Sequence, residues 1–139
     1  MEKDLISGSL KEEKMKFATC LNCMDGRAQL PVIYWIKEFY NVDYVDMITE
    51  AGMDGILSGN PDIDMNNLYN KIEISVSGHK SGTIFLVGHH DCGGNPVDDD
   101  THKRQITSAV ENLSKYGFPV TLIGLWLSAE WIVEEITKK

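Results

Sequence analysis

The chain has 139 residues, 42% hydrophobic and 24% charged, which suits one globular domain with a core of its own and excludes a wholly disordered chain. A formal charge of −8 and a pI of about 4.9 argue against nucleic acid or an anionic membrane as the main partner, since both need a basic face. No apolar run approaches the roughly 18–20 residues needed to span a bilayer.

Three cysteines and a polar, charged stretch from Met1 to Lys16 without an apolar signal core do not read as a secreted disulfide framework. A reducing cytoplasm is the expected setting, where cysteines more often serve metal or catalysis. Residues 1–15 are expected to form a solvated N-terminal arm, and residues 16–139 the domain.

Phe17 to Asn22 is a short, mostly apolar run ended by Asp25-Gly26, as in a buried strand. Leu30 to Tyr40 has helical spacing, with Pro31 in the first turn. Tyr44 to Thr49 reads as a second strand and Met53 to Asp64 as a loop. Asn66 to Ser77 suits a helix stopped by Gly78. Thr83 to Val87 is continuously apolar, as in a parallel strand buried on both faces. Gly93 to Asp100 is a loop, and Asp98-Asp99-Asp100 suits the N-terminus of the next helix better than a calcium loop. Thr101 to Tyr116 reads as that helix and Val120 to Leu125 as the fourth strand. Ser128 to Ile136 is expected to be a last helix with Ser128 as its N-cap.

Strand–helix alternation repeated four times predicts a single α/β domain. Its sheet is expected to be four-stranded and parallel, in the order 2-1-3-4, with helices on both faces. Ligands in such sheets gather at the carboxyl ends of strands, where strand order reverses. Two clusters fall there: Cys23-Met24-Asp25-Gly26-Arg27 after the first strand, and Gly88-His89-His90-Asp91-Cys92-Gly93-Gly94 after the third. If those strands are neighbours, Cys23, His89 and Cys92 converge. Two thiolates and an imidazole suit tetrahedral zinc, and three protein ligands leave a fourth position open, as in catalytic sites. Two thiolates cancel the charge of the ion, so a bound water needs help to ionise. Asp25 is placed to give it, and Arg27 to pair with Asp25 and depress its pKa. Cys20, in a strand rather than at the start of a helix, reads as a core thiol and not as half of a redox pair. Trp126 and Trp131 read as core or subunit-interface anchors.

Cys-x-Asp-x-Arg after one strand and Gly-His-x-x-Cys-Gly after a later one resemble the β-class carbonic anhydrases, over about Lys16 to Glu135. The resemblance implies a zinc lyase that hydrates carbon dioxide reversibly to bicarbonate. Zn2+ would be held by Cys23, His89 and Cys92, Asp25 and Arg27 would form the catalytic pair, and Gly52 and Gly93 would line the substrate site. It also implies a homodimer or higher homo-oligomer. His79, His90 and His102 are the imidazoles left to relay a proton. One segment departs from the family: Ile48-Thr49-Glu50-Ala51-Gly52 stands where Arg-Asn-Ala-Gly is usual, so Glu50 brings a negative charge. Two alternatives stay open beside carbon dioxide: a zinc hydrolase of another small linear molecule, such as carbonyl sulfide or carbon disulfide, and a zinc-binding protein without activity.

Overall fold

The structure, a computed structural model, describes residues 15–59, 61 and 63–139. The expected N-terminal arm lies outside the described residues but for Met15. Strand β1 (Phe17–Asn22) leads through a 3-10 turn (Gly26–Ala28) into helix α1 (Leu30–Tyr40) and strand β2 (Tyr44–Thr49). Then come a short helix α2 (Met53–Leu57), helix α3 (Met65–Glu73) with a π-helical turn (Ile74–Gly78), and strand β3 (Thr83–His89). Helix α4 (Asp99–Tyr116), strand β4 (Thr121–Leu127) and strand β5 (Val133–Lys138) complete the order.

The sheet order is β2-β1-β3-β4-β5. β1 pairs in parallel with both β2 and β3, and β3 with β4. The expected order 2-1-3-4 therefore holds, with one strand added at the β4 edge. Alternate side chains of β3 face opposite cores. Ile84 and Leu86 join Leu68, Ile72, Ile106 and Leu113 of α3 and α4. Phe85 and Val87 join Val32 and Ile36 of α1. Helices thus cover both faces, which is why β3 reads as an unbroken apolar run. Helix α4 lies close to the sheet because Gly88 and Gly124 lack side chains: a Cβ at either would come within 2.7 Å of an Ile106 methyl.

The expected final helix is not formed. Ser128 Oγ accepts from the Glu130 and Ile132 amides, both at 3.3 Å, and the Ser128 amide donates back to the Ile132 carbonyl at 3.0 Å. The serine that reads as an N-cap instead closes a turn by the same hydroxyl chemistry. The segment beyond it, with β-branched Val133, Ile136 and Thr137, pairs antiparallel with β4, where such side chains pack well. The expected loop 53–64 contains α2, whose five residues are all buried. Cys20 is fully buried, as expected of a core thiol, and Trp126 is 3% exposed in the core.

Candidate metal centre

Neighbouring parallel strands β1 and β3 end at the same edge, so the loops that follow them meet. Buried Asn22 fixes the first: its Oδ1 accepts from the Cys23 amide at 2.8 Å and its Nδ2 donates to the Ala28 carbonyl at 2.9 Å. Gln29 Nε2 donates to the Cys23 and Asp25 carbonyls at 2.8 and 2.7 Å. In the second loop, Asp91 adopts φ 58° and turns the chain so that Cys92 comes back beside His89.

Cys23, His89 and Cys92 are 4%, 1% and 4% exposed, and one ligand atom from each lies within 4.8 Å of the others. The two Sγ atoms are 3.8 Å apart. Two sulfurs each ~2.3 Å from a tetrahedral zinc stand ~3.8 Å apart, so the sulfur pair matches that edge of a zinc tetrahedron. His89 Nδ1 is 2.7 Å from the His90 carbonyl. A carbonyl only accepts, so Nδ1 carries the proton and Nε2 presents a lone pair. His89 Nε2 is buried without a hydrogen-bond partner, an arrangement costly for a polar atom unless something fills it. The donor set and the orphaned nitrogen both fit a zinc ion. The hydrogen bond with Cys92 holds the Cys23 thiol well below its usual range, and the same bond, with burial, pushes Cys92 up.

Arg27 grips Asp25 with two parallel bonds, Nε to Oδ1 at 3.1 Å and Nη2 to Oδ2 at 2.7 Å. That side-chain bond is the main reason the Asp25 carboxyl is held down at about 2. Asp25 Oδ2 is 3.9 Å from His89 Nε2, so the carboxylate faces the cluster while both its oxygens are engaged by Arg27. The sequence-expected residues Asp25 and Arg27 are therefore brought beside Cys23, His89 and Cys92.

Gly52 stands at φ +69°, and a Cβ there would meet the Gly94 carbonyl at 2.7 Å. Its amide donates to Cys23 Sγ at 3.4 Å. Gly94, and not Gly93, makes the close approach, since a Cβ on Gly93 would meet nothing within 4 Å. A cavity of about 440 Å³ opens beside Gly52 and Gly94, lined also by Glu50, Ile56 and Asn95, and none of the described residues in its lining is cationic.

The three other histidines separate clearly. His79 Nδ1 bonds Asp46 Oδ2 at 2.6 Å and its ring stacks on Phe17, at the start of β1 and away from the cluster. His102 is fully buried, with Nδ1 2.6 Å from Asp54 Oδ2. His90 follows a ligand directly, is partly exposed, and pairs with Asp99 at 2.9 Å. The aspartate run behaves as a helix start: Asp98 caps α4 by accepting from the Thr101 amide at 2.7 Å.

Sequence reasoning missed a buried network behind the second loop. Asp54 Oδ1 accepts from Asn95 Nδ2 at 3.0 Å, and the same nitrogen donates to Gln105 Oε1 at 2.6 Å. Together with His102 this ties the Cys92 loop to α2 and α4. The one available signal was an aspartate set inside the apolar run Met53–Leu57.

Two solved structures share the fold. One is a tetrameric β-carbonic anhydrase of the filamentous ascomycete Sordaria macrospora, with a TM-score of 0.51 and 16% identity over 94% of this chain and 87% of that one. The other is a β-carbonic anhydrase of the fungal pathogen Aspergillus fumigatus, with a TM-score of 0.51 and 13% identity over 94% and 89%. At these identities the likeness is one of fold. No curated protein matches the sequence. A family model described as "Putative carbonic anhydrase" matches residues 13–137. Because that match takes in both cysteine-bearing loops and every described helix, the chain belongs to this carbonic anhydrase family.

Proposed function

We propose that the domain of residues 16–139 is a zinc-dependent carbonic anhydrase that hydrates carbon dioxide reversibly to bicarbonate. Cys23, His89 and Cys92 would hold the ion. The observation that carries this reading is the 3.8 Å sulfur pair facing a buried, partnerless His89 Nε2. When bound, zinc supplies a Lewis acid that makes a nucleophile from water near neutral pH.

The residues of the chain do the rest. Asp25, held down at about 2, is ionised throughout the physiological range and cannot store a proton there. Its role is to accept a hydrogen bond at Oδ2 and orient the water that donates it. Arg27 keeps it in that state. The proton itself must reach solvent, and His90 is the imidazole beside the ligands that also reaches the surface. Gly52 and the Cys92 loop at Gly93 and Gly94 shape the substrate side.

A second reading rests on Glu50. Its carboxylate is in the lining of the neighbouring cavity, where none of the described residues offers a cation to offset it, which disfavours an anion there. That suits a neutral linear substrate such as carbonyl sulfide or carbon disulfide, or a zinc-binding protein without turnover.

Tyr34 and Phe39 of α1 and Tyr44 at the β2 edge are more than half exposed. Exposed aromatic side chains of this kind suit burial against a second copy of the chain, in line with a homodimer or higher homo-oligomer. Three free cysteines fit a reducing, cytoplasmic setting. No helix of the described residues is long and apolar enough to cross a membrane.

Stopped-flow hydration of carbon dioxide, on protein carrying one zinc per chain, tests the reading. A rate far above buffer that falls with acid supports it. No rate above buffer with zinc in place refutes it, and product analysis with carbonyl sulfide then decides for or against the second reading.

A further inference from the structure

We propose that Trp131 and Asp91 are positioning residues that latch Arg27 onto Asp25 and so keep the Asp25 carboxylate off the metal position. The inference rests on reading Cys23, His89 and Cys92 as metal ligands.

Four non-glycine residues among those described take a positive φ: Asn41, Lys80, Asp91 and Trp131. Asparagine and aspartate visit that region readily, but a bulky residue there is an outlier. Trp131, at φ 61°, is such an outlier. Strain of this kind persists where the surrounding structure enforces it, and it gathers at functional sites.

Both Asp91 and Trp131 touch Arg27. The guanidinium carbon lies 4.7 Å from the centre of the Trp131 ring. Arg27 Nη2 donates to the Asp91 carbonyl at 3.1 Å, and Nη1 to Asp91 Oδ2 at 3.4 Å. The Trp131 ring also lies 6.2 Å from that of His89, so one indole spans the pair and a ligand.

A latch is needed because Arg27 is otherwise loose. Its side chain is 49% exposed, and an exposed ion pair alone holds weakly. Asp25 Oδ2 is already within 3.9 Å of His89 Nε2. A carboxylate released by Arg27 has only a small rotation to make before it meets a cation held by the three ligands. With Arg27 fixed by an aromatic face and a carbonyl, both Asp25 oxygens stay occupied and the fourth coordination position stays free for exchange.

The test uses the full chain loaded with Co(II), whose visible bands report coordination, titrated with azide as a probe of the open position. Trp131→Leu keeps apolar bulk but removes the π face. It should weaken azide binding about two- to fivefold, the scale of one exposed cation–π contact. Trp131→Phe should recover part of the loss. In an Asp25→Ala background Trp131→Leu should change nothing, because the competing carboxylate is gone. Azide binding unchanged in Trp131→Leu, or weakened equally with Asp25 absent, overturns the latch while leaving the metal reading intact. Failure of the native chain to take up one Co(II) overturns both.

Discussion

Gly52→Ala tests whether the close contact of the two loops holds the ligands in register. The new Cβ would lie 2.7 Å from the Gly94 oxygen, 2.8 Å from its carbon and 2.9 Å from Asn95 Cβ. Two of these are backbone atoms that cannot rotate away. Left-handed φ at an alanine costs roughly 1–2 kcal/mol. Overpacking against an unyielding neighbour adds about 1–3 kcal/mol. The expected loss is thus about 2–5 kcal/mol, a large part of the stability of a domain this size. The loop that retreats carries Cys92 two residues earlier, so the sulfur separation widens and zinc affinity should fall about 10–100-fold. Urea unfolding of the ion-free protein, followed by tryptophan fluorescence, reads the first effect. Competition with a chromophoric chelator reads the second. Gly93→Ala is the control: its Cβ meets open space, so both readings should stay within about 1 kcal/mol of native. Equal effects at the two glycines, or a native-like Gly52→Ala, would refute the contact as a determinant of the site.

Cys92→Ser should bring bound zinc well below one per chain by elemental analysis, with the far-ultraviolet spectrum kept; retained stoichiometric zinc counts against the ligand set. Asp25→Asn should keep zinc but lower the hydration rate about 10²–10⁴-fold, measured by stopped flow. The same variant should flatten the acid limb of stability. Arg27 holds Asp25 at about 2, below the ~3.9 of an unfolded aspartate. A depressed carboxyl stabilises fully above about pH 4 and loses that contribution as pH falls through 2. Urea midpoints between these values should therefore fall less steeply for Asp25→Asn than for the native chain. Asp54→Ala removes the carboxylate that His102 and Asn95 share. It should cost about 1–3 kcal/mol in chemical denaturation for each buried donor left without its acceptor.

The metal cluster was legible because each ligand sits within three residues of a strand end, and parallel strands bring their carboxyl ends together without any long-range guess. β1 announces itself by a mostly apolar run and β3 by a continuous one, so the meeting of Cys23 with His89 and Cys92 follows from strand order alone. What stayed hidden depends on side chains finding partners far away in sequence. Ser128 offers the same hydroxyl to a helix start and to a turn, and only pairing with β4 decides between them. Asp54 looks like a polar interruption until His102 and Asn95 arrive from 48 and 41 residues away. Trp131 reads as an ordinary apolar anchor, since nothing local shows that its ring will cover Arg27.

The ligand-bearing strands are also the ones with a parallel neighbour on each side, β1 between β2 and β3 and β3 between β1 and β4. The strands at the margins, β2 and β5, are more exposed. Opening free energies in a protein rise from frayed edges to the centre. Amides of Leu21 and Leu86 should therefore exchange with deuterium only through global unfolding, while those of β5 exchange through local opening. Fraying at either margin leaves Cys23 and His89 side by side, so the ends of β1 and β3 outlast most partial unfolding of the chain.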